Sequence, residues 1–298
     1  MKKKINIANV ILLASLSAFL PIKSFAIYPN NSDNTQVPDN PQIYLGTNYK
    51  LSISHFTDFS VQESYRKVDI IGLKSNVPDT KYDTLRVAEN FNTEYNPVFK
   101  NNFSGLSGTL GYYSDKGFRL ELEASYQNFD VKPHKNYNTE NDAYRYFALV
   151  RNKAKDAFQP EKDVQDSAKN YRSFYSFMRN DGVSITSVMF SGCYDLLLNN
   201  DLKISSYACA GIGGDFIEFF NAIKIKFAYQ AKLGISYSLS PSVHVFADTY
   251  YHKSVGNQFK NLRVQYAHTF KYAPFFTSAE ASLNVGYFGG ELGFRFIF

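Results

Sequence analysis

The chain has 298 residues and a formal net charge of +5, but Lys2, Lys3, Lys4 and Lys23 all fall within its first 26 residues, so the remaining 272 carry only +1. No Lys/Arg-rich run lies in that remainder, which leaves no electrostatic footprint for nucleic acid, and no nucleic-acid partner is expected. Aromatics make up 17%, as 27 Phe and 23 Tyr without a Trp, yet mean hydropathy is −0.31 and no later stretch approaches about 18 apolar residues, which excludes a helical membrane protein.

Residues 1–26 have the layout of a secretory signal: three lysines, an apolar stretch from Val10 to Leu20, then Ser24-Phe25-Ala26. Cleavage is expected after Ala26, leaving 27–298 as a single exported domain. The apolar stretch is interrupted by serines and closed by Pro21, too short for a retained anchor, which needs about 20 apolar residues.

Past that point the dominant signal is period-two alternation. Odd positions from Ile223 to Leu239 are apolar or aromatic throughout, whereas the even ones read Lys224, Lys226, Ala228, Gln230, Lys232, Gly234, Ser236 and Ser238. Phe118, Leu120, Leu122, Ala124 and Tyr126 alternate likewise with Arg119, Glu121, Glu123, Ser125 and Gln127. Strands of soluble proteins average about 5 or 6 residues, while a strand crossing a bilayer needs about 9 to 11. The pattern predicts an all-β fold: an antiparallel, up-and-down transmembrane β-barrel of a bacterial outer membrane, lipid on one face and lumen on the other.

Eight strands follow: Ile43–Ser54, Phe103–Ser114, Phe118–Phe129, Val183–Leu196, Lys203–Gly214, Ile223–Leu239, Val243–Tyr251 and Ala279–Phe298. Twelve is the alternative count, should the long loops hide further strands. Asp115–Gly117, Leu198–Asp201 and Ser240–Ser242 read as short turns, and 55–102, 130–182, 215–222 and 252–278 as longer loops at the opposite end. That asymmetry places both termini and the short turns on the periplasmic side and the loops outside the cell. Within 130–182, Tyr144, Phe147, Ala148 and Arg151 share a helical face with Asn141 as a cap, which predicts short helices there, folded as a lid or packed on neighbours.

In the last strand Leu292, Phe294, Phe296 and Phe298 form one face, but Leu283, Val285 and Tyr287 precede them on the opposite phase. A bulge at Gly289-Gly290 inside one strand would reconcile the two. A terminal phenylalanine in this setting is similar to the signal read by the barrel-assembly machinery.

The inward face carries Lys50, Arg119, Glu121, Glu123, Lys224, Lys226, Lys232, Asp248, Glu291 and Arg295. In an eight-stranded barrel the interior is just wide enough for side chains, so these charges are expected to pair as a structural polar core; a narrow pore in a wider or hydrated lumen is the alternative. Cys193 and Cys209 are the only cysteines. A turn centred on Asp201 sets them opposite one another, eight residues to each side, within disulfide reach. Two unpaired thiols or an inter-chain crosslink stay open, because a shift of the centre by one residue moves the pair two places apart.

Nothing points to a cofactor, a metal or catalysis. His244 and His252 share a strand face but are about 26 Å apart at about 3.3 Å per residue. Gly211-Ile212-Gly213-Gly214-Asp215 lacks the spacing of a phosphate loop. There is no GxSxG, and Asp248 with His244 has no paired nucleophile.

Several segments together resemble the major surface antigens of Ehrlichia and Anaplasma. These are Gln42-Ile43-Tyr44-Leu45-Gly46, the run Phe103-Ser104-Gly105-Leu106-Ser107-Gly108-Thr109-Leu110-Gly111-Tyr112, Asp142 to Leu149, Ala208 to Asp215, Ala228 to Gly234, and Tyr287 to Phe296. The resemblance implies an abundant outer-membrane surface antigen that meets host surface molecules or antibodies through loops 55–102 and 130–182. Some relatives are described as porins, so passage of small hydrophilic solutes through the lumen is the alternative function. Loop tracts such as Tyr95-Asn96-Pro97-Val98 and Lys155 to Lys169 fall outside the resemblance.

Overall fold

The computed structural model describes residues 42–64, 67–114, 117–134, 137, 139–151, 175–199, 203–266 and 277–298. Eight strands close into a barrel: β1 (Gln42–Ser54), β2 (Asn102–Tyr113), β3 (Phe118–Phe129), β4 (Val183–Asn199), β5 (Ile204–Phe219), β6 (Ala222–Ser240), β7 (Val243–Ser254) and β8 (Gly286–Ile297). Each pairs antiparallel with the next, and β8 returns to β1. Closure leaves no unpaired strand edge, the condition for a sheet in lipid.

Alternation sets the two faces. On β6, Ile225 is 72% exposed and Leu233 65%, whereas Lys232 between them is 3% exposed. The apolar row therefore points outward along the wall, and the polar row fills the interior. Inward glycines make room for large lumen side chains: a methyl group at Gly111 would collide with the Tyr44 ring, and one at Gly234 with Tyr207 and Asp248.

Beyond the barrel, the loop segments build a cap of small sheets. One orders strands Gln265–Tyr266, Tyr175–Arg179, Tyr146–Arg151, Val68–Leu73 and Phe91–Glu94; a second orders Gln258–Leu262, Ala279–Asn284 and Thr57–Glu63; a third pairs Val98–Phe99 with Val131–Lys132. The barrel takes eight strands rather than twelve, and the extra strands lie in the cap instead. Among the described residues, helix is confined to Tyr82–Leu85 and to 3-10 turns at Ala88–Asn90 and Ala143–Arg145.

Three expectations are corrected. Residues 146–151 form a strand rather than a helix, because all six are buried: with both faces of the segment covered, an apolar run cannot distinguish helix from strand. Asn141 accepts a hydrogen bond from the Ala143 amide at 3.2 Å, but only a single 3-10 turn follows.

Residues 215–222 are not a loop. β5 and β6 run to a two-residue turn at Phe220-Asn221, both with positive φ (51° and 57°), the conformation that suits the twist of a tight hairpin.

The third correction concerns 279–298, which is not one bulged strand. Ala279–Asn284 belongs to the cap, and β8 begins at Gly286 and runs through Gly289-Gly290 in unbroken register against both neighbours. Odd residues face inward on both sides of those glycines. What changes is their surroundings: Leu283, Val285 and Tyr287 sit in the apolar cap core, while Glu291 and Arg295 reach the polar lumen. The apolar pattern swaps phase without a slip of the chain.

Candidate functional site

The lumen is filled in tiers. At mid-height Lys50 (β1) and Lys232 (β6) interleave with Glu123 (β3) and Glu291 (β8). Lys50 is ion-paired to both glutamates, and Lys232 pairs with Glu123 and, at 3.2 Å, with Glu291. Asn48 donates to Glu291 at 3.1 Å. All four charged side chains are buried, and a buried charge is tolerable only when paired and hydrogen-bonded. Their convergence follows from register, since Lys50 stands opposite Glu291, which stands opposite Asp248.

Toward the short-turn end, Arg119 lies 3.4 Å from Glu121 and 3.5 Å from Asp195, and Arg295 is 3.8 Å from Glu121. The guanidinium of Arg295 sits 4.1 Å from the centre of the Phe246 ring and 4.7 Å from that of Tyr207, while Arg119 is 4.9 Å from Tyr207. Tyr44 donates to Glu121, and Tyr207 donates to Asp248 at 2.6 Å. Cys193 and Cys209 are directly opposed on β4 and β5 and joined as a disulfide in this tier, packed with Tyr207 and Phe246.

A third tier, under the cap, centres on residues that sequence reasoning did not single out for this role. Asp215 accepts hydrogen bonds from Ser187 at 2.7 Å and from Ser254, and lies 3.0 Å from His252 Nε2. The His252 ring stacks on Tyr287 with centroids 4.6 Å apart. Gln127 binds Ser52, at 2.9 Å, and Asn102. Asp215 escaped because the segment read as a loop, and His252 because it was weighed only as a metal ligand.

Of the ten inward charges expected, eight are buried in these tiers. Lys224 and Lys226 share the same face but stand half-buried near the mouth, outside the ion-pair network. Lys226 donates to the Gln258 carbonyl at 3.0 Å and rests 4.4 Å from the centre of the Phe259 ring. Outward, Leu292, Phe294 and Phe298 are exposed on β8 and at its end, with Phe296 half-exposed in the same row.

The lumen void bounded by Asn48, Glu121, Lys232, Phe246, Asp248 and Arg295 has no room for a water molecule. Above the polar tiers an apolar cluster seals the mouth. It joins strand ends of the barrel (Phe129, Val183, Ile185, Ile217, Phe219, Tyr287) to cap residues Phe147, Leu149, Phe259 and Leu262.

The cap has its own electrostatics. Arg145 reaches Asp130 at 2.6 Å and Lys100 reaches it at 3.1 Å. Partial burial pulls the Asp130 carboxyl upward, but these hydrogen bonds and charges outweigh that and hold it below the ordinary carboxylate range. Arg151 and Glu63, both buried, pair at 2.9 Å between two cap sheets.

Residues 37–298 match the profile described as surface antigen. The chain is similar to major surface antigen 4 of Anaplasma marginale, 30% identical over 86% of this chain and 83% of that protein. Among solved structures it is similar to Neisserial surface protein A, at 11% identity over 87% of this chain and 97% of that one, TM-score 0.37. It is also similar to the outer membrane protein OprG of Pseudomonas aeruginosa, at 10% identity over 88% and 98%, TM-score 0.45.

Proposed function

Because the chain belongs to the surface antigen family and closes into an eight-stranded barrel with an apolar outer face, we propose that it sits in the outer membrane and works at the cell surface through its cap, meeting host surface molecules and antibodies, and not through its lumen. The observation that carries this is the filled interior: the lumen void among Asn48, Glu121, Lys232, Phe246, Asp248 and Arg295 has no room for a water molecule, and an apolar cluster lies above the polar tiers. A pore for hydrophilic solutes needs a hydrated path, whereas here each central cation is ion-paired to carboxylates. The barrel is then a lipid-facing mount, its lumen charges a structural core, and loops 55–102 and 130–182 the working parts.

In this reading residues 1–26, which lie outside the described residues, are removed on export after Ala26, and 27–298 act as one domain. The outward row Leu292, Phe294, Phe296 and Phe298 serves the barrel-assembly machinery. The cap faces outward because the short turns at Asp115–Gly117 and Ser240–Ser242 mark the periplasmic side.

Two measurements test the proposal. Purified protein in a planar lipid bilayer should give no steady conductance; stable single-channel steps from the intact protein would return the porin reading. Protease added to intact cells should cut within 55–102 or 130–182. Cleavage confined to the short turns would invert the orientation.

A further inference from the structure

The disulfide partners lie where no macromolecular oxidant can reach them. Cys193 and Cys209 are 1% and 6% exposed and face the lumen. Arg119 on β3 places Nη2 3.8 Å from Cys209 Sγ, a Glu121 oxygen lies within 4.8 Å of both sulfurs, and Tyr207 and Phe246 pack against the pair. The void beside them, bounded in part by Glu121, Phe246 and Arg295, does not admit water. Yet disulfide formation by exchange requires a foreign sulfur to contact a cysteine sulfur directly, through a mixed-disulfide intermediate.

The same two residues are close in sequence, 16 apart on adjacent strands, and directly opposed. The β4–β5 hairpin alone can therefore bring them together, whereas Arg119, Glu121 and Phe246 arrive only with β3 and β7. An outer-membrane chain crosses the oxidising periplasm before it is inserted.

We propose that this disulfide is made before the barrel closes, by a periplasmic dithiol oxidoreductase in its disulfide form acting on the open β4–β5 hairpin. One cysteine thiolate attacks the oxidant's disulfide, forming a mixed disulfide and expelling one oxidant thiolate. The second cysteine thiolate attacks the chain's sulfur in that mixed disulfide, closing the Cys193–Cys209 bond and expelling the second. Two electrons and the two thiol protons leave with the reduced oxidant. The product is a hairpin fixed in the register that puts its polar face inward, before lipid is met; a slip by one residue would turn every side chain to the wrong face.

The test compares the full mature chain, reduced, in two states: folded into detergent micelles, and unfolded in urea. Each is offered the disulfide form of a thioredoxin-fold oxidant, and free thiols are trapped with a maleimide over time. Oxidation of the folded barrel should be slower by about a thousandfold or more, since reaction then needs the barrel to open. Comparable rates in the two states would overturn the proposal. If the reduced chain does not reach the barrel form, reduction of the oxidised barrel by thioredoxin is compared with that of the unfolded chain, and the same ratio decides. In pulse-labelled cells the disulfide should precede the compact, heat-modifiable barrel; a folded barrel carrying two free thiols that oxidises later, or no disulfide at any stage, would equally overturn it.

Discussion

Each wall residue answers to one of two solvents, and substitutions separate them. Leu233 is outward, 65% exposed, midway along β6 between Tyr229 and Tyr237. Leu233→Arg at mid-membrane depth should cost about 2–4 kcal/mol, read as loss of folded barrel in lipid vesicles, while Leu233→Met folds normally. Equal folding of the two would reject the outward assignment. Gln230 cannot serve as a lenient inward control, because it is buried beside His252 and an arginine there would overpack the tier.

Inside, Lys232→Met leaves Glu123 and Glu291 to share Lys50 alone, so one buried negative charge goes uncompensated, and breaking a buried pair costs about 3–5 kcal/mol. In a double-mutant cycle, adding Glu291→Gln should restore part of that loss, measured by urea unfolding from lipid; strictly additive losses would show that the two side chains do not interact.

Among the elements, what was legible depended on how many environments a segment meets. β6 keeps lipid on one side and polar lumen on the other for most of its length, so alternation marked it within a residue at each end. β8 and the segment before it change surroundings midway, and the inversion of the apolar pattern at Gly289-Gly290 imitated a bulge. Tyr146–Arg151 is covered on both faces and has no period to read. The Phe220-Asn221 turn carries no glycine, and two non-glycine residues at positive φ are not a strong turn signal.

The cap's latch at Asp130 has a defined pH response. A carboxyl held below its ordinary value when folded contributes fully above about pH 3.9, and loses that contribution as pH falls through the lowered folded-state value. The melting-temperature gap between wild type and Asp130→Asn in detergent should therefore be complete at neutral pH and close in acid. A gap unchanged at about pH 2 would rule out the ion pairs with Arg145 and Lys100 as its source.

At the scale of the molecule, barrel and strand order were legible because lipid imposes one rule on every crossing, and so were most of the inward charges, though Asp195 and Asp215 were missed and Lys224 and Lys226 stand outside the buried network. The cap was not, since it is assembled from segments far apart in the chain whose contacts no local pattern announces. Its principal sheet draws strands from 68–73, 91–94, 146–151, 175–179 and 265–266, and the Tyr82 hydroxyl donates to the carbonyl of Tyr266, 184 positions away. An isolated peptide copied from any one segment would thus be a poor likeness of the surface it came from. It would display Phe147 and Leu149, which the folded cap hides completely, and would lack the neighbours that complete each patch. A reagent raised against such a peptide should bind denatured protein better than intact cells, and a faithful immunogen has to carry the barrel that holds the strands together.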